Sequence, residues 1–163
     1  MHLEGSCHCR AVRFSVDAYA PWPYLRCYCG ICRKTAGSGG FAINLGAHAA
    51  SLKVTGRRHL RRYRAVLEDG RTSPAVRHFC GRCGSALWAA DPRWPELVHP
   101  HAGAIDTPLP APPARVHMML GSKPGWVAVE GEPSDTQVDL YPDRSLADWH
   151  ADHGWAEPDP RAR

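Results

Sequence analysis

Seven cysteines in three tight clusters constrain this chain more than any other feature of its 163 residues. They are Cys7, Cys9, Cys27, Cys29, Cys32, Cys80 and Cys83, and none stands alone. An odd count, one or two residues between neighbours and no export signal fit a disulfide framework poorly. A redox C-x-x-C would lie between a strand and a helix. Here Cys80 and Cys83 sit in Phe79-Cys-Gly-Arg-Cys-Gly84, which reads as a glycine turn with no helical pattern after it. Metal binding accounts for all three clusters.

Zinc takes four ligands in a closed structural site, and three with one open position in a catalytic site. Seven cysteines divide in that way. Cys27-Tyr-Cys-Gly-Ile-Cys32 places three thiolates within six residues, close enough to converge on one ion. Cys7 and Cys9 then combine with Cys80 and Cys83. In an extended strand residues i and i+2 face the same side, so a strand would let Cys7 and Cys9 share a metal and turn His8 away from it. On spacing alone, one closed site with three spare thiols, or a shared cluster, stays open.

Hydrophobic residues at 44% and charged residues at 22% describe an ordinary globular chain of single-domain size. No apolar run approaches the roughly 18 residues of a membrane span. Met1-His-Leu-Glu-Gly5 lacks the basic-then-apolar pattern of a signal peptide, so a cytoplasmic location without membrane association is expected. The formal charge of +4 falls short of a dedicated nucleic-acid binder.

The 15 Gly and 15 Pro favour short strands and many turns over long helices. Val12, Phe14 and Val16 alternate with polar residues over 10–17, a half-buried strand. Further strands are expected over 41–45, 51–55, 59–66, 75–79, 85–90, 97–105, 115–120 and 125–129. Short helices are expected over 31–36 and, capped by Ser145, over 145–150. Glu68-Asp-Gly70 reads as a turn, Pro108–Pro113 as a stiff connector, and residues from Glu157 onward as frayed.

Gly5-Ser-Cys-His-Cys9 with Ala-Val-Arg-Phe14, Cys27–Ser38 and Arg77–Ser85 together resemble the glutathione-dependent formaldehyde-activating enzyme family, which includes centromere protein V-like domains. Gly103–Asp106 and His117–Trp126 are similar to its weaker downstream signatures. The resemblance runs from about Gly5 to Tyr141, giving a zinc-binding domain over 1–141 and an extension over 142–163. It implies a mainly β, Mss4-like fold of antiparallel sheets pinned by zinc, with few short helices. It also implies two zinc ions per chain: a structural one on Cys7, Cys9, Cys80 and Cys83, and a catalytic one on Cys27, Cys29 and Cys32. Arg10 departs from the pattern, since the family usually has glycine after the second cysteine.

Three thiolates on Zn²⁺ leave a formal charge of −1, a poor centre for activating water but one that can hold a further thiolate sulfur. The expected activity is a carbon–sulfur lyase acting on adducts of a glutathione-like thiol with formaldehyde or another small aldehyde. Arg33 and Lys34 are candidate partners for substrate charge, with Arg26 read rather as a surface residue paired with Asp or Glu. Ser38 in its glycine loop is a candidate anion donor, and Trp126 a candidate wall of the site or an ordinary core residue. His99 and His101 read as surface strand residues, and His117 as packing or a hydrogen-bond donor. Two rival classes remain: a non-catalytic zinc-binding interaction module, and nucleic-acid association through Arg57–Arg64, whose five arginines also suit an exposed edge strand.

Overall fold

The computed structural model describes residues 1–18 and 20–154, so the tail expected to fray from Glu157 lies outside the described residues. The strands are β1 (His2–Ser6), β2 (Arg13–Asp17), β3 (Tyr24–Cys27), β4 (Ala42–Asn44), β5 (Ala47–His48) and β6 (Lys53–Thr55). They continue as β7 (Leu60–Tyr63), β8 (Val76–Cys80), β9 (Ala86–Ala90), β10 (Leu97–Pro100), β11 (Arg115–Met118) and β12 (Thr136–Gln137). Helix α1 (Gly30–Ala36) and helix α2 (Leu146–Asp152) are the α-helices among the described residues. The chain is mainly β, as the sequence leads one to expect.

Three sheets carry the fold, in the orders β1-β2-β6, β5-β10-β9-β8-β7 and β12-β11-β3-β4. The first two are antiparallel throughout. The third joins an antiparallel β3–β4 pair to parallel β3–β11 and β11–β12 pairs. Directly paired residues share a face, so the registers say which side chains meet between sheets. Leu3 pairs with Val16 and Gly5 with Phe14, which puts the apolar face of β1 and β2 inward. A side chain at Gly5 would overlap the Phe14 ring, which lies 5.1 Å from Trp88 of β9. Trp88 pairs with His78 on that face, and the two rings stack at 4.9 Å. The other face of the same sheet carries Arg77, Ala89 and His99 in one row and looks toward the third sheet.

Several strand expectations are corrected. Residues 125–129 form no strand: Val127 closes a turn on the Pro124 carbonyl, 3.1 Å away, and its side chain packs where a Cβ on Gly40 would sit. The strand expected to 105 stops at Pro100 and passes into a 3-10 helix over Ala102–Ala104. The strand expected to 120 stops at Met118, because Met119 takes the left-handed region at φ 62°. β1, β3, β5 and β12 were not expected. The edge position of β7 agrees with the reading of an exposed edge strand for Leu60–Tyr63, whereas Arg57–His59 form a 3-10 turn ahead of it. Ser145 caps α2 as expected, accepting from the Asp148 N–H while Asp148 reaches back to the Ser145 N–H. No helix among the described residues is long and apolar enough to cross a membrane.

Gly56 tests how tightly the first sheet is seated. It sits at φ 71°, where a Cβ would overlap the Ala11 carbonyl, next to the cysteine turn. Gly56→Ala should lower unfolding free energy by about 2–4 kcal/mol, combining left-handed strain with a backbone shift. Gly70, at φ 80° with open space around it, should lose only about 1–2 kcal/mol on the same change. Urea midpoints at constant slope would measure both.

Candidate metal centre and active site

Cys7 and Cys9 stand on a tight turn, not in the extended strand the spacing suggests. The Arg10 N–H donates to the Cys7 carbonyl at 2.8 Å, and the Cys7 N–H to the Val12 carbonyl at 3.0 Å. Arg10 closes this turn at φ 57°, the left-handed region that favours glycine, which gives the family preference at this position a physical reason. His8 is exposed at the tip, its N–H on Ser85 Oγ at 3.1 Å. A second turn, Cys80 to Gly84, approaches from β8, with the Gly84 N–H on the Cys80 carbonyl at 2.9 Å.

The two turns bring the sulfurs of Cys7, Cys9, Cys80 and Cys83 within 4.8 Å of one another. Cys7 and Cys9 sulfurs lie 3.6 Å apart, and those of Cys9 and Cys80 3.8 Å apart. Zn–S bonds of about 2.3 Å in a tetrahedron give S–S edges of about 3.8 Å. A disulfide requires about 2.05 Å, and all seven cysteines are free. The donor set and its spacing fit a closed, tetrahedral metal site.

The remaining sulfurs, on Cys27, Cys29 and Cys32, also lie within 4.8 Å of one another. Cys27 ends β3, while Cys29 caps α1 and accepts the Cys32 N–H at 3.3 Å. Hydrogen bonds from the Cys27 and then the Cys32 thiol, with that backbone donor, hold the Cys29 thiol down. The bond to Cys29 correspondingly pushes the Cys27 thiol up. Three soft ligands with no fourth cysteine match the donor set of an open zinc site.

Arg77, which sequence reasoning did not single out, reaches this trio from β8. Its Nη2 lies 3.9 Å from Cys32 Sγ. The signal is non-local, since 45 residues separate the pair. Arg33 folds back along α1, its Nη2 standing 4.0 Å from the position of a Cβ on Gly30. Lys34 and Ser38 are exposed at the far end of α1 and in the following turn. Trp126 is 69% exposed, which overturns its reading as a core residue. Arg26 projects from the opposite side of β3, its guanidinium over Phe41 at 5.0 Å and its Nη1 donating to the Glu130 carbonyl. The expected surface pair with Asp or Glu gives way to that stack. His101 is buried at 6% exposure and His99 is half-buried, which corrects their reading as surface residues. The third sheet covers what would otherwise be a solvent face.

A buried network braces the trio from behind. Tyr28, fully buried between two ligand cysteines, places its Oη 2.9 Å from His117 Nδ1. His117 Nε2 lies 3.4 Å from Asp135 Oδ2, and Asp135 Oδ1 accepts the Arg115 N–H at 2.7 Å. His117 is thus a hydrogen-bonding core residue, as its position suggests, whereas Tyr28 and Asp135 carried no signal in the sequence. On the other face of β3 and β11, Leu25, Val116 and Met118 share the side of Cys27 and line a cavity of about 820 Å³. Tyr141 and Trp149 wall it. The Tyr141 hydroxyl is pushed up by desolvation and then by the charge of Cys27, Cys29 and Cys32, and Met118, the pairing partner of Cys27, also lines the cavity.

Comparison with known proteins places this geometry among relatives. Residues 2–120 match the profile of a family described as glutathione-dependent formaldehyde-activating enzyme. A Halomonas elongata protein with that same description as its provisional name is 59% identical over 157 residues, covering 96% of this chain and 99% of its own. A crystal structure of a Rhodobacter sphaeroides protein, 27% identical, superposes on 66% of this chain and 91% of its own with a TM-score of 0.50.

Two sites of unequal ligand number predict unequal behaviour. Purified protein should carry close to two zinc ions, one yielding to chelators much sooner than the other. Cys80→Ser should unfold or aggregate the chain, because structural zinc supplies folding free energy of order 10 kcal/mol. Cys29→Ser should leave the fold largely intact and remove only the labile ion. Metal analysis beside thermal unfolding would read both, and equal destabilisation would contradict the division.

Proposed function

The chain belongs to the glutathione-dependent formaldehyde-activating enzyme family, and from that premise we propose that it is a carbon–sulfur lyase-type enzyme. Its substrates are adducts of glutathione or a similar thiol with formaldehyde or another small aldehyde. The observation that carries this reading is the contrast between four converging sulfurs and three. The first set can be filled by protein alone, and the second calls for a ligand from outside. Cys27, Cys29 and Cys32 would hold a zinc ion that supplies an open position for an exogenous thiolate sulfur and keeps that sulfur nucleophilic.

The reaction adds S–H across C=O. A carbon–sulfur bond forms, the carbonyl pair moves to oxygen, and the proton lost by the thiol ends on that oxygen; lyase turnover runs the reverse. What the chain contributes is charge and position. A substrate thiolate beside three cysteine thiolates concentrates negative charge, and glutathione adds two carboxylates. Arg33 turns toward the first turn of α1. We assign Arg33 and Lys34 to the substrate carboxylates, with Ser38 and Trp126 at the rim. Cys29 is oriented by its capping bond, and Tyr28 locks the segment between the ligands. The catalytic unit is assigned to 1–141 and the extension to 142–163. A cytoplasmic location suits seven reduced cysteines.

Glutathione binding should release about one proton, because the bound form is the thiolate. S-methylglutathione, with no thiolate to give, should bind at least about tenfold more weakly. Arg33→Ala should weaken glutathione severalfold and a small neutral thiol less. Calorimetry in buffers of different ionisation enthalpy counts the protons, and equal binding of the methylated analogue without proton release would remove this reading.

A further inference from the structure

Arg77 has two guanidinium nitrogens with different surroundings. Nη2 faces Cys32, whereas Nη1 is buried and has no hydrogen-bond partner among the described residues. Of the further buried polar atoms in that condition among the described residues, His101 Nδ1 and Asn44 Oδ1 belong to residues only 6% and 7% exposed that lie toward the same inter-sheet face. A buried polar group without a partner loses about 1–3 kcal/mol, and native structures leave few of them. Three at one place call for an occupant.

The strand registers put them at one place. Arg77 pairs with Ala89, and Ala89 with His99, so Arg77 and His99 share a face of the second sheet. His101 continues that row, its N–H donating to the Leu87 carbonyl at 2.9 Å. Asn44 belongs to the third sheet, where Leu25 pairs with Asn44 and Cys27 with Ala42, so Asn44 lies on the Cys27 side of β4. An isolated bridge pairs Asn44 with His101 and closes the gap between the two sheets. Burial and then the charge of Arg77 push His101 down to about 4, so the imidazole is neutral near pH 7.

We infer that Arg77, His101 and Asn44 form the site for the aldehyde oxygen, the atom that becomes the hydroxyl of the thiol adduct. This rests on the proposed thiol chemistry. The chemical fit is two-sided. A carbonyl oxygen gaining charge needs a fixed donor, and Arg77 Nη1 is a cationic one. The adduct hydroxyl must also donate, and Asn44 Oδ1 is a free acceptor, as is the imidazole nitrogen of neutral His101 in the tautomer with its proton on Nε2. In the forward direction the thiolate sulfur bonds to the carbonyl carbon, the π pair moves onto oxygen under Arg77, and solvent returns the proton that the thiol released. In the cleavage direction the acceptors hold the hydroxyl, its proton passes to solvent, the oxygen pair re-forms C=O, and the carbon–sulfur pair leaves on sulfur as the thiolate. Arg77 is therefore a catalytic residue, and His101 and Asn44 complete its pocket.

Formate, a one-carbon oxyanion that needs no thiol, probes this site directly. Titrated into the zinc-loaded protein and followed by arginine side-chain nitrogen NMR, it should shift the Arg77 guanidinium signals saturably. Arg77→Met should weaken formate at least about tenfold. An unmoved Arg77, or formate binding indifferent to its loss, would mean a water-filled gap and overturn the assignment whatever glutathione does. In turnover, Arg77→Met should lower kcat by about a hundredfold or more, the usual effect of removing one oxyanion donor. Proton-coupled glutathione binding should stay within about threefold; an equal loss there would reassign Arg77 to the thiolate. Asn44→Ala, which leaves every charge in place, should lower kcat about tenfold with glutathione binding unchanged, and an unchanged kcat would exclude its part. A formate response at Arg77 without proton-coupled glutathione binding would keep the oxygen site and discard the thiol.

Discussion

Four sulfurs within 4.8 Å, drawn from turns 71 residues apart in sequence, are the contact on which the rest of this molecule depends. Four thiolates cannot share that space unless a cation neutralises them, and closing so long a loop is entropically unfavourable. Metal binding of order 10 kcal/mol offsets both. Once the turn at Cys7–Cys9 is held against the turn at Cys80–Cys83, β1 and β2 lie over β8 and β9. Phe14 then reaches Trp88 across a glycine that leaves room for its ring. The second sheet, fixed from one side, is free to present its other face to the cysteine trio.

What could be read beforehand was local. Cysteine spacing marks both clusters because ligands that converge through a short turn are close in sequence. Alternation of Val12, Phe14 and Val16 marks β2 because one face of that strand is wet. β1 escaped because His-Leu-Glu-Gly-Ser buries only Leu3 and a glycine, so its partner rather than its own composition makes it a strand. β3 escaped because it runs between two neighbours, with Tyr24 and Cys27 buried and Arg26 stacked on Phe41. Gly125–Val129 has the β-branched residues of a strand without a partner to pair with. Arg77 and Asn44 gave no signal, since each becomes significant only through a side chain contributed by another sheet.

The two cysteine sets use one chemistry for two purposes, and ligand count and position separate them. The four-cysteine set is built from surface turns, with Cys9 and Cys83 exposed, and no cavity is needed there. The trio sits where the third sheet, α1 and the second sheet meet, beside a cavity of about 820 Å³. Its flanking cations differ accordingly. Arg33 comes with the trio on α1 and so was legible, whereas Arg77 arrives through strand pairing.

The two faces of β3 make the functional argument by contrast. On one, Tyr28, His117, Asp135 and Arg115 contact one another in sequence, and a network with every member partnered rigidifies the strand that carries Cys27. On the other, within the same small protein and equally shielded from solvent, Arg77, His101 and Asn44 each leave an atom unpartnered. Selection for stability alone would favour pairing or apolar replacement on both faces, since each orphan loses about 1–3 kcal/mol. The contrast follows the chemistry: the paired network anchors the ligands, while Arg77, His101 and Asn44 keep donors and acceptors in reserve for an oxygen that gains charge only when a carbon–sulfur bond is made.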